Sequence, residues 1–199
     1  MTRFVLATGN PNKVAELRAI LGERFDGHEL VAVGELAPDA PEPVEDGDSF
    51  AANALIKARA AAALTGLPAL ADDSGISARA LGGAPGIHSA RFAGTRDAVD
   101  NNRKLLTALV DSDDRAAWFS CAAALVDPAD GFETVLTREW PGEILREATG
   151  EGGHGYDPVF RPVGETRSSA QLTAAEKNAI SHRALAFGDL VTLLRERFG

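Results

Sequence analysis

Apolar positions along this chain come in two rhythms, and the changes between them mark out the elements. Phe4, Val5, Leu6 and Ala7 form a short unbroken run, after which Val14, Leu17 and Leu21 recur at helical spacing. This predicts a buried strand and then a helix ending at about Gly22. Between them, Asn10 suits an N-cap and Pro11 a first helical position. Residues 30–33 read as a second strand and the Pro- and acid-rich residues 38–48 as a loop. An alanine-rich helix is expected over residues 50–64, capped by Ser49 and stopped by Gly66. Leu67, Ala69 and Leu70 then form a strand that ends abruptly in Ala71-Asp72-Asp73-Ser74-Gly75.

The second half is read in the same way. Glycines and Pro85 leave little regular structure in residues 82–94, whereas Val99, Leu106, Leu109 and Val110 suggest a helix. Residues 116–126 and 134–140 read as strands joined by the turn Asp127-Pro128-Ala129-Asp130-Gly131, with a further strand at about residues 143–147. Residues 150–155 form a glycine-rich loop, and Thr173-Ala174-Ala175-Glu176 has the form of a capping box. Phe187, Leu190, Val191, Leu194 and Phe198 lie on one stripe of a final amphipathic helix. In one unbroken helix Lys177 and Arg183 would point roughly 120° apart at about 100° per residue, whereas a break at Ser181 would let both turn toward one site. Helices alternate with strands early and strands cluster late. The expected fold is therefore α/β, a mixed β-sheet flanked by helices in a single domain over residues 1–199.

Composition narrows the partners. The 199 residues carry a net charge of −9, which argues against a nucleic-acid binder, because such proteins neutralise phosphates with Lys and Arg. Any anionic ligand must meet a local cluster of cations or a metal. The single cysteine, Cys121, sits in an apolar run and reads as a buried thiol in a reducing compartment. No signal-like or membrane-spanning segment is evident, so the expected location is cytoplasmic.

Four segments carry candidate chemistry. Thr8, Gly9, Asn10, Pro11, Asn12 and Lys13 combine a glycine turn, a helix N-terminus and a lysine, the parts of a phosphate cradle, although a capped helix with a solvated lysine needs the same residues. Two adjacent carboxylates, Asp72 and Asp73, repel each other unless a cation, donor or shared proton compensates them. The run is equally readable as a capped turn. Glu45, in an acidic loop, suits either a weak Mg²⁺ seat shared with Asp73 or compensation of a helix dipole. His154, Gly155, Tyr156 and Asp157 offer mobile backbone and two rings for a nucleobase, or a structural loop around a buried tyrosine. Lys177, His182 and Arg183 supply donors suited to phosphate or to a base carbonyl.

Taken in order, these segments resemble the inosine triphosphate pyrophosphatase family, the dITP/XTP pyrophosphatases that clear non-standard purine nucleotides. The likeness runs from Ala7-Thr8-Gly9-Asn10 with Lys13 and Glu16, through Glu45, Phe50, Asn53-Ala54 and Lys57-Ala58-Arg59, to Ala71-Asp72-Asp73-Ser74-Gly75. It continues in Ala80-Leu81-Gly82-Gly83-Ala84-Pro85-Gly86, Ser89-Ala90-Arg91, Trp140-Pro141-Gly142, Gly155-Tyr156-Asp157-Pro158-Val159-Phe160, Ala175-Glu176-Lys177 and Ser181-His182-Arg183. The resemblance implies an elongated α/β homodimer with two lobes around a central cleft. It also implies Mg²⁺-dependent hydrolysis of dITP, ITP and XTP or dXTP to the monophosphate and pyrophosphate. Asp73 would be the catalytic carboxylate, and Glu45 with Asp73 the metal ligands. Thr8 to Lys13 and Lys57 would hold the triphosphate, with Ser74 beside the metal. His154, Gly155, Tyr156, Asp157, Lys177, His182 and Arg183 would surround base and sugar. Where the family usually has a stacking Phe this chain has His154, a smaller ring that titrates near neutrality.

Overall fold

The computed structural model describes every residue except Met1 and Asp26, and the side chains of Asn12, Glu23 and Arg24 also lie outside the described residues. Six strands form one sheet in the order β2-β1-β3-β4-β5-β6. They are β1 Arg3–Leu6, β2 Glu29–Ala32, β3 Ala69–Ala78, β4 Ala116–Asp127, β5 Phe132–Ile144 and β6 Phe160–Pro162. The α-helices are α1 Pro11–Leu21, α2 Val33–Leu36, α3 Phe50–Thr65, α4 Ala98–Ala108, α5 Ala174–Ile180 and α6 His182–Phe198. Strand β1 pairs in parallel with both β2 and β3, whereas β5 and β6 are antiparallel. The sheet is mixed, as expected.

Local chemistry sets the boundaries. The Lys13 N–H donates to Asn10 Oδ1 at 3.4 Å, the side-chain cap expected at the head of α1. On α3, Ser49 Oγ accepts from Ala52 N–H at 3.2 Å and Gly66 closes the helix at φ 68, a left-handed conformation that glycine adopts without steric cost. Thr173 and Glu176 form a reciprocal capping box on α5, which ends at Ser181 before α6 begins. The expected break is present.

Two expectations are corrected. Strand β3 does not end at the acidic doublet; it continues through Asp72 and Asp73 to Ala78. Pairing within the sheet overrides the turn preference of Asp, Ser and Gly. Likewise, residues 134–140 and 143–144 belong to the one strand β5, which runs through Pro141, while residues 145–147 are not strand. The Pro141 carbonyl still accepts from Val163 N–H at 3.0 Å. Gly142 permits the close pairing with β6, because a Cβ there would strike the Arg161 carbonyl and the Phe160 ring.

The chain divides into two units, one comprising Met1–Asp73, Cys121–Arg138 and Arg183–Gly199, the other Ser74–Ser120 and Glu139–His182. In the first, two apolar cores use opposite faces of the strands. Phe4, Leu6, Leu70 and Cys121 pack with Leu17 and Leu21 of α1 and Phe187 and Leu190 of α6. Val5, Ala7, Ala69 and Ala71 pack with Ala54, Ala58, Ala61 and Ala62 of α3. The second unit is built around Ile76, Leu105, Phe119, Trp140, Tyr156 and Phe160.

Candidate active site

Successive side chains of a strand point to opposite faces, so β3 separates its two neighbouring carboxylates instead of crowding them. Leu70 faces α1 and α6, and so does Asp72; Ala71 faces α3, and so does Asp73. Backbone alternation thus relieves the repulsion implied by the sequence and gives each acid its own surroundings.

Asp72 is 3% exposed and lies among cations. Its Oδ2 accepts from Lys13 Nζ at 3.1 Å and from Arg183 Nε and Nη2 at 3.3 and 3.2 Å. Arg183 is itself 2% exposed, and its Nη1 donates to Glu16 Oε2 at 2.6 Å. Two carboxylates and two cations therefore share this face of β3. Burial would raise the Asp72 pKa, but Lys13, Arg183 and, at longer range, Lys57 outweigh it and hold the carboxyl well below the usual range. Asp72 stays ionised.

Asp73 has the opposite balance. Its Oδ1 accepts from Lys57 Nζ at 2.9 Å and its Oδ2 from Asn53 Nδ2 at 3.3 Å. The same Lys57 ammonium reaches Glu45 Oε2 at 3.2 Å. Asn53 and Lys57 stand one turn apart on α3 and so share a face. Asn53 Oδ1 also accepts from Gly47 N–H at 2.9 Å, tying the acidic loop to that face. Burial raises the Asp73 pKa, and one ammonium shared with Glu45 does not restore it, so its affinity for a proton stays above that of an ordinary aspartate. Burial opposes the charge on Lys57, yet Asp73, Asp72 and Glu45 together keep it protonated. Two adjacent acids with pKa values driven in opposite directions are the arrangement from which a proton acceptor and a fixed charge are made.

The donor set also suits a divalent ion. Glu45 and Asp73 converge on a single cation, the Lys57 ammonium, and Mg²⁺ is commonly held by one or two carboxylates with substrate phosphates and waters completing its shell. Among the described residues no group of three or more His, Cys, Asp or Glu forms a cage of its own. A site of this kind would depend on substrate oxygens.

In the second unit, Asp157 is the centre of a buried network. It accepts from His154 N–H at 2.7 Å, Ser169 Oγ at 2.9 Å and Lys177 Nζ at 2.5 Å. Tyr156 is buried in the core and donates its hydroxyl to the Ser89 carbonyl at 2.8 Å. The His182 ring stacks on Phe119 at 4.8 Å between centroids. The His154 side chain is exposed.

The family model for the Ham1 family matches residues 4–193. The chain belongs to the Ham1 family. It is 54% identical over 198 residues to the dITP/XTP pyrophosphatase of Leifsonia xyli subsp. xyli, an alignment covering 98% of this chain and 96% of that protein. Solved structures give the same fold. The Ham1 protein of Staphylococcus aureus superposes with a TM-score of 0.89 at 36% identity, covering 98% of this chain and all of the other (100%). The HAM1 protein of Coxiella burnetii reaches 0.89 at 42% identity with the same coverage, 98% and 100%.

Within this Ham1 fold the first unit gathers Lys57 and Glu45 around Asp73 on one face of β3, and Lys13 and Arg183 around Asp72 on the other. Thr8, Gly9, Asn10 and Pro11 stand at the head of α1, with Thr8 Oγ1 accepting from Asn10 N–H at 3.2 Å, while the Asn12 side chain lies outside the described residues. Ser74 follows Asp73 in β3 and is half-buried. Lys177 and Arg183, on either side of the Ser181 break, serve different acids: Asp157 for the first, Asp72 and Glu16 for the second. Sequence reasoning left Asp72, Asn53 and Glu16 without roles. A signal existed for two of them, since Asn53 precedes Lys57 by four residues and Glu16 follows Lys13 by three, each pair on one helix face.

Proposed function

We propose that this chain hydrolyses non-standard purine nucleoside triphosphates (dITP, ITP and XTP or dXTP) to the monophosphate and pyrophosphate with Mg²⁺, acting as a single catalytic domain and as a cytoplasmic homodimer. The names of its Ham1 relatives and the arrangement around β3 support this reading. The observation that carries it is the splitting of the acidic doublet: Asp72 is held by Lys13 and Arg183, while Asp73, on the other face, shares the Lys57 ammonium with Glu45.

In this scheme water attacks the α-phosphorus, the bond from that phosphorus to the α–β bridging oxygen breaks, and pyrophosphate departs. Asp73 Oδ orients the attacking water and takes up its proton. Lys13 and Lys57 hold the phosphate chain against the head of α1, where the backbone N–H groups complement anionic charge. Glu45 and Asp73 would hold Mg²⁺, which supplies charge neutralisation at the phosphate oxygens. The base is assigned to residues 154–157, with the exposed His154 ring as the stacking surface. A backbone N–H aimed at position 6 would favour a 6-oxo acceptor and penalise the 6-amino group of adenine.

The decisive experiment is to convert Asp73→Asn and measure pyrophosphate release from ITP with Mg²⁺. The expected kcat falls by roughly 10²-fold or more with the fold intact by circular dichroism. Turnover near that of the unaltered protein would overturn the assignment.

A further inference from the structure

Residues 152–157 bend through two left-handed glycines, Gly153 at φ 71 and Gly155 at φ 62. One side of the bend is filled by Asp157, with its bonds to His154 N–H, Ser169 and Lys177, and a Cβ on Gly153 would run into that carboxylate. The Gly155 carbonyl is tied down by another element. Asn102, on α4, donates its Nδ2–H to that carbonyl at 3.0 Å.

Asn102 is 9% exposed, yet its Oδ1 has no hydrogen-bond partner among the described residues. Turning the amide over would not help, because Oδ1 would then face the Gly155 carbonyl, acceptor against acceptor. The neighbouring Asn101 differs: its Oδ1 accepts from Ala93 N–H at 2.7 Å and its Nδ2 donates to the Ala90 and Thr95 carbonyls at 3.3 and 3.4 Å. Asn101 therefore explains itself as a structural clamp. For Asn102 the bond from its Nδ2–H to the Gly155 carbonyl is the side chain's tie to the rest of the described residues. That bond fixes the carbonyl at the crest of the bend to which the base is assigned.

We propose that Asn102 is a positioning residue for base recognition, holding the Gly155 carbonyl so that residues 153–157 keep their bound shape before the nucleotide arrives. The inference deepens the proposed function and rests on it. A turn already ordered in the free protein loses less conformational freedom on binding, and the gain is read as affinity rather than as a faster chemical step.

The test replaces Asn102→Leu, which keeps the shape and removes both the donor and the orphan acceptor. The thermal midpoint is expected to hold or rise. KM for ITP rises about five- to tenfold while kcat at saturation stays within about twofold. Inhibition by inorganic tripolyphosphate, which has no base, is expected to be unchanged. Asn102→Asp, which is isosteric but cannot donate at neutral pH, is the second variant and is expected to raise KM at least as much. An unchanged KM in both variants overturns the inference, as does an equal weakening of ITP and tripolyphosphate, or a loss of kcat and thermal midpoint together without a change in KM. Absence of ITP hydrolysis by the unaltered protein would sink the proposed function and this inference with it, whereas hydrolysis with an unmoved KM would sink this inference alone.

Discussion

Replacing Asp72→Asn probes the face of β3 opposite the proposed catalytic carboxylate. The amide keeps the shape and removes the charge that Lys13 and Arg183 share. Their exposures divide the penalty. The Lys13 side chain is 21% exposed and can turn toward water, so its loss is discounted, whereas Arg183 at 3% cannot, although it keeps Glu16 at 2.6 Å. Breaking a buried pair by removing one partner costs about 3–5 kcal/mol, and the retained Glu16 places this variant near the lower end, about 3 kcal/mol. For a chain of this size that corresponds to a midpoint lower by about 6–12 °C. Urea and thermal unfolding at pH 7 measure it. The pH dependence has a fixed sign. A carboxyl whose pKa is lowered on folding stabilises the protein above its unfolded pKa of about 4 and loses that contribution as pH falls further, so the gap between the unaltered protein and the variant should narrow in acid. A variant within about 1 kcal/mol of the unaltered protein at pH 7 would refute the account of Asp72 as the charge that holds Lys13 and Arg183.

Other outcomes test neighbouring links. Lys57→Met removes the ammonium between Glu45 and Asp73; kcat/KM for ITP should fall by roughly 10²-fold. A variant whose kcat/KM stays within about threefold of the unaltered protein would contradict this. Ser49→Ala deletes the cap of α3, so about 1 kcal/mol of stability and about 2–4 °C in midpoint should be lost, with KM little changed. His154→Phe enlarges the exposed ring assigned to the base and should lower KM for ITP by roughly two- to fivefold; an unchanged KM from pH 6 to pH 9 removes His154 from base stacking.

Hydrophobic periodicity and end signals were enough to locate most of the elements. The caps Asn10, Ser49 and Gly66, the 173–176 capping box and the Ser181 break are local interactions among residues a few positions apart, so the chain carries their full specification. The same holds for the hairpin turn, where Asp127 Oδ1 accepts from Ala129 N–H at 3.1 Å and Asp130 Oδ1 from Phe132 N–H at 3.1 Å. Motif order was legible as well, and it singled out Asp73, Glu45, Lys13 and Lys57.

What each charged group meets was decided only by tertiary structure. Local preference made the Asp72-Asp73 doublet a turn at a strand end; sheet pairing over residues far apart in sequence made it the interior of β3, and alternation then sent one acid to α1 and α6 and the other to α3. Arg183 lies 111 residues from Asp72 and 167 from Glu16, separations across which no pattern in the chain announces a partner. Asn102 is the same case, since its place on α4 follows from helical spacing while its bond to Gly155 spans 53 residues. Propensity acts through neighbours along the chain, whereas burial and charge pairing act through neighbours in space, and it is the second set that separates the proton affinities of two adjacent and chemically identical acids.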